Sequence, residues 1–110
     1  MASKVEARGG KLVVTLAGSV DLEHAPELRK TLLACVGRKM DLVVDLTGVE
    51  YIDSSGIANL VEALQAAQQG GTAFGLVAVA GQVMRVLRLA RLDKVFRIHD
   101  DLAGALAARA

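Results

Sequence analysis

The stretch Val49-Glu50-Tyr51-Ile52-Asp53-Ser54-Ser55-Gly56-Ile57, VEYIDSSGI, decides how the chain is read. An apolar segment runs into an acid, two serines and a glycine. Beyond them Ile57, Leu60, Val61 and Leu64 mark one helix face, with Asn59, Glu62 and Gln65 on the other. The change of period predicts a strand, a turn and a helix. Asp and Ser are favoured N-caps, because their side-chain oxygens accept from the free N–H groups of a helix start. A cap accounts for Asp53, Ser54 and Ser55 structurally. A displayed hydroxyl that another protein modifies accounts for them chemically. On this stretch alone both explanations remain open.

Working outward, Met40 to Leu46 (MDLVVDL) and Ala73 to Val79 are continuous apolar runs, suited to strands covered on both faces. Lys11 to Gly18 instead alternates, with Leu12, Val14 and Leu16 opposite Lys11, Val13 and Thr15, which predicts a half-exposed strand. Lys4 to Ala7 is a candidate partner strand across a Gly9-Gly10 turn. Pro26 suits a first helical turn, followed by Leu28, Leu32, Cys35 and Val36 at helical spacing and a stop at Gly37. Gly70-Gly71 closes the helix after the serines. Val83, Val86, Leu87 and Ala90 predict a third helix, Val95 to Ile98 an edge strand, and Leu102 to Ala108 a terminal helix. Alternating strands and helices predict a single α/β domain: a mostly parallel or mixed four- to five-stranded sheet with about four helices.

Composition narrows the function classes. The 110 residues suit one compact domain, and 53% are apolar, enough for a core without staples. A net charge of +1 argues against non-specific grip on nucleic acid or an anionic membrane. Cys35 is the single cysteine, so no internal disulfide forms, and its place in an apolar helical register predicts a buried, inert thiol. MASKVEARGG lacks the apolar core of a secretory signal, and no apolar run approaches the roughly 20 residues of a membrane span. The expectation is a cytoplasmic protein without membrane insertion.

Enzyme signatures are missing from the serine segment. A nucleophile elbow requires G-x-S-x-G, but Ile52 stands two residues before Ser54. Nothing in the sequence sets His24 or His99 beside Ser54 for a triad, and both read as surface or turn residues. No GK[ST] phosphate loop occurs, and the scattered histidines and acids match no metal-ligand spacing, so neither cofactor nor metal is expected. Asp45 ends a central strand as a phospho-acceptor would, but the acidic pair such a receiver needs is reduced to Asp21; Asp45 is expected to face solvent or act as a cap. Arg85, Arg88, Arg91 and Lys94 recur at threes, a basic stripe that reads as a solvated face or, alternatively, as a contact for an acidic partner.

Three ordered segments carry a family resemblance. DLTGVEYIDSSGIANLVEAL resembles the central signature of STAS domains, typified by bacterial anti-sigma factor antagonists. GSVDLEHAPELRKTL, with Gly18 and Asp21, is similar to the family's segment before its first helix, and GQVMRVLRLARLDKVFRIHDD to its third helix, short strand and final turn. The resemblance spans about residues 5 to 109. It implies a protein that binds an anti-sigma factor serine kinase while unphosphorylated, freeing a sigma factor, and is released on phosphorylation of Ser54. Ser55 is the implied secondary site, a serine phosphatase a further partner, and Asp21, Asp53, Ser54, Ser55 and Gly56 the partner-binding set. Gly56 is expected to leave space for the kinase. The resemblance implies no catalytic activity; an alternative is a STAS scaffold subunit of a lipid-trafficking ABC transporter. A nucleotide hydrolase is a third class, for which the chain nominates no catalytic group. Both monomer and weak homodimer remain open. Where many members carry glycine this chain has Arg91, and Ala80-Gly81 replaces a frequent Asn-Pro pair.

Overall fold

The computed structural model describes residues 1–78 and 81–108. The predicted strand end at Val79, Ala80 of the Ala80-Gly81 pair and the domain end at 109 lie outside the described residues. Among the described residues five strands form one sheet in the order β1-β2-β3-β4-β5. They are β1 (Ala2–Arg8), β2 (Lys11–Val20), β3 (Leu42–Ile52), β4 (Phe74–Val77) and β5 (Arg97–His99). The first pair is antiparallel and all others are parallel, because a two-residue turn can only reverse the chain whereas helices intervene between the rest.

Four α-helices occur among the described residues: α1 (Ala25–Gly37), α2 (Ser54–Gly70), α3 (Gln82–Leu89) and α4 (Leu102–Ala107). The buried faces of α1, α2 and α3 join Leu12, Val14, Leu16, Val44 and Leu76 in the main core. The opposite side of the sheet is covered by α4, whose Ala105 packs with Val13, Val43 and Val77. The alternation in β2 is therefore not the mark of a half-exposed strand: Val13 is as completely buried as Val14. Cys35 is buried, and burial pushes its thiol pKa up, which suits an inert group.

Several local expectations are corrected. The strand from Leu42 runs on to Ile52, so VEYI belongs to β3, with register shifts against β2 between Thr15 and Ala17 and between Gly18 and Ser19. Asp45 does not face solvent; it is buried beside the first shift, where its Oδ1 accepts from the Thr47 N–H (3.0 Å) and hydroxyl (2.8 Å). The extra residue in β3 frees that N–H from the ladder, and the carboxylate satisfies it. Asn59 lies on the buried face of α2, where its amide donates to Ala25 O at 2.7 Å and ties α2 to α1. Ala90 is exposed beyond the end of α3.

The basic stripe is also broken. Arg85 and Arg88 lie on α3, but Arg91 follows it with φ 58°, and Lys94 sits in a single 3₁₀ turn, Leu92–Lys94. Arg91 thus occupies a left-handed conformation at the position where the family resemblance places glycine. The left-handed region costs an ordinary side chain about 1–2 kcal/mol, part of which glycine would return as lost chain entropy. Arg91→Gly is expected to raise stability by about 0.5–1 kcal/mol, read as a higher denaturant midpoint with unchanged slope.

Candidate functional site

The site is assembled where β2 and β3 end side by side. Ile52 is the last residue of β3, and the amide of Gln82, at the start of α3, brackets it: the Ile52 N–H donates to Gln82 Oε1 and Gln82 Nε2 donates to Ile52 O, both at 2.8 Å. That side chain replaces the strand neighbour the short β4 cannot provide, and so fixes the point from which the chain leaves the sheet. No periodicity in the sequence announces this contact.

Asp53 then takes the N-cap position in extended backbone, φ −109°. Its Oδ1 accepts from the N–H groups of Ser55 (2.9 Å) and Gly56 (3.2 Å), while Oδ2 accepts from the Leu22 N–H at 3.1 Å. One carboxylate therefore starts α2 and holds the β2–α1 loop against it. Removing it with Asp53→Ala is expected to cost about 1–2 kcal/mol from the cap, detected as a lower urea midpoint. The same change frees the loop at Leu22, so amide exchange at Leu22 should rise more than at Val20.

Ser54 is the first residue of α2 and is exposed; Ser55 is half-buried. The Ser54 hydroxyl makes no hydrogen bond among the described residues. Across from the neighbouring Asp53 lies Leu22, 72% exposed, an apolar side chain in a loop whose backbone N–H is tied to the Asp53 carboxylate. Sequence reasoning passed over Leu22; its signal was a lone leucine inside an otherwise polar turn.

Two expected site residues have other surroundings than foreseen. Gly56 is buried, and a Cβ there would lie 2.8 Å from Val20 Cγ1 and Ile52 Cγ1 and 2.9 Å from Val20 O. Its missing side chain makes room for the strand ends beneath the helix, not for a kinase above it. Asp21 accepts from His24, with Oδ1 2.7 Å from Nδ1, and has no hydrogen bond to Ser54. The His24 hydrogen bond holds the Asp21 carboxyl below its ordinary pKa. Asp21 thus shapes the loop that carries Leu22, while Asp53 makes the link to the serines.

Ligand atoms of Asp21, Glu23 and His24 lie within 4.8 Å of one another. The Asp21–His24 hydrogen bond brings two of the three together, and Glu23 stands between them in the chain. A groove of about 490 Å³ opens away from Ser54, where α2 ends and β4 and β5 begin, between Leu64, Phe74, Lys94 and Phe96. Small-molecule sites are concave and largely apolar, whereas an exposed hydroxyl beside an exposed leucine on a rigid helix start suits contact with a protein surface. Among the described residues no helix is long and apolar enough to cross a membrane.

Comparison with known proteins agrees with this fold. The STAS domain model matches residues 2–105. An anti-sigma-F factor antagonist of Mycobacterium tuberculosis, RsfB, is 32% identical over 110 residues, covering 96% of this chain and 89% of its own. The anti-sigma-B factor antagonist of Bacillus subtilis is 26% identical and covers 93% and 94%. The crystal structure of an anti-sigma factor antagonist from Mycobacterium paratuberculosis superposes with a TM-score of 0.89 at 33% identity, covering 96% of this chain and 90% of that one. With five mixed strands, four helices and the Asp-Ser-Ser-Gly turn at the head of the second helix, the chain belongs to the STAS domain family.

Proposed function

We propose that this protein is an anti-sigma factor antagonist whose affinity for its partner is set by the phosphorylation state of Ser54. One observation carries the proposal: the Ser54 hydroxyl is exposed and unengaged at the head of α2, on backbone fixed from three sides by Asp53, Gln82 and the buried Gly56. A rigid, displayed hydroxyl beside Leu22 is what a kinase substrate and a docking surface both require. The names of its relatives supply the partner class, an anti-sigma factor; in this proposal that partner is also the serine kinase. A serine phosphatase would restore the unphosphorylated form. The protein itself acts by binding, in the cytoplasm, without catalysis.

Phosphorylation would add about −1.5 to −2 charges at pH 7. The N–H groups of Ser55 and Gly56, which could otherwise receive that charge, already bind Asp53. The new dianion would therefore stay at the surface, adjacent to a carboxylate, where a docked partner must desolvate both. The switch is local, with no refolding.

Affinity capture from source-cell lysate, with mass spectrometry of the partners and of Ser54, tests the proposal. Recovery of a small serine kinase that also binds a sigma factor, with phosphate found on Ser54, supports it. Recovery of transporter ATPase and permease subunits with Ser54 unmodified would overturn it in favour of a scaffold role.

A further inference from the structure

β1 is an edge strand. It pairs with β2 through every residue from Ala2 to Arg8, and among the described residues its other edge carries no strand. An open edge of this length is a template for another chain. Its backbone groups can be assigned. Gly9 and Gly10 form a two-residue turn with φ of 59° and 80°, closed by the pair Arg8–Lys11. A two-residue turn is closed by a hydrogen-bonded pair, and such pairs alternate along an antiparallel ladder. The N–H and C=O groups of Arg8, Glu6 and Lys4 therefore turn toward β2, and those of Ser3, Val5 and Ala7 turn outward.

The side chains along this strand have a symmetry of their own. Lys4 and Glu6 stand one residue either side of Val5, which is 42% exposed. An antiparallel copy centred on Val5 places Lys4 opposite Glu6 of the second copy, twice, and Val5 opposite Val5. Ser3 then faces Ala7 of the second copy, and these are the residues whose backbone groups point outward. Each hydrogen-bonded pair would exchange two backbone bonds. The Lys4–Glu6 positions become the non-hydrogen-bonded pairs, where side chains approach more closely. Centring on Ala7, to set Arg8 against Glu6, would leave only Glu6 to Arg8 paired.

We propose that the protein forms a two-fold dimer through β1, joining two five-stranded sheets into one. Charge pattern, apolar centre and backbone directions select the same register, and a two-fold interface demands this kind of self-complementarity. A single strand edge buries well below the roughly 1,600 Å² of a standard stable interface, so the dimer is weak and concentration-dependent. Because the strands run in opposite directions in the two copies, the two Ser54 segments lie at opposite ends of the joined sheet and both remain free. The proposal is independent of the partner assigned above.

Sedimentation equilibrium of the full chain from micromolar to millimolar concentration tests it, with circular dichroism confirming that each variant is folded. The wild-type chain is expected to dimerise reversibly. Lys4→Glu sets like charges opposite one another at two places and should weaken the dimer about tenfold or more. The double change Lys4→Glu with Glu6→Lys restores complementarity and should restore the dimer. Val5→Pro removes an outward N–H, which an edge strand tolerates, and should abolish it. A chain that stays monomeric to millimolar concentration would overturn the proposal. So would a dimer indifferent to Lys4→Glu and Val5→Pro, or one that the double reversal fails to restore.

Discussion

The Ser54→Asp variant is expected to bind the anti-sigma partner about 5- to 150-fold more weakly than the wild-type chain, with almost no change in melting temperature. The two halves of that expectation come from different parts of the site. The weakening reflects a charge placed beside Asp53 on the contact surface, where a partner must desolvate it. The unchanged stability reflects where the side chain sits: Ser54 is exposed, and its hydroxyl supports nothing among the described residues. Phosphorylated chain should behave as the Asp variant does, more strongly because of its larger charge. Ser54→Ala should retain partner affinity while refusing phosphate. Calorimetric titration against the captured partner, with a thermal melt of each variant, reads both quantities. Equal affinity for wild-type and phosphorylated chain would sink the switch.

Gly56→Ala is expected to do the reverse, lowering stability by about 1–3 kcal/mol, as overpacking of a closed core does. At about 4–8 °C per kcal/mol for a domain near this size, the melting temperature should fall by several degrees at least. The direction is diagnostic. Replacing a helical glycine with alanine ordinarily stabilises by up to about 1 kcal/mol, because glycine has more chain entropy to lose. Here the added methyl would meet Val20 Cγ1, Ile52 Cγ1 and the Val20 carbonyl, each closer than 3.0 Å. Side chains could shift, but the carbonyl belongs to β2, whose end also accepts the Asp53 N–H. Partner affinity should fall only as far as the helix start is displaced. A melting temperature equal to or above that of the wild type would show that the strand ends yield to a methyl group.

The capped start of α2 at the serines and the packing of Gly56 were not equally legible in the sequence. VEYIDSSGI announces a strand, a cap and a helix because each depends on neighbours in the chain: the period of apolar residues, and a carboxylate within reach of N–H groups two and three residues ahead. The hairpin at Gly9-Gly10 was legible for the same reason. Asn59 and Asp45 were misplaced because polarity predicts exposure only when no partner waits inside. Ala25 O supplies one for Asn59, and the bulge beside Thr47 supplies the other. Arg91 shows an intermediate case, where resemblance marked the position but only the backbone angle showed what glycine would do there.

The sequence by itself therefore determined the α/β alternation, the order of elements and the serine at the head of α2, all set by local periodicity and capping. Only the tertiary structure decided that Asp53 reaches across to Leu22, that Gln82 brackets Ile52, that Gly56 accommodates Val20, and that β1 lies at the edge of the sheet. Those depend on residues distant in the chain meeting at the ends and edges of one sheet, and no pattern of near neighbours encodes such a meeting.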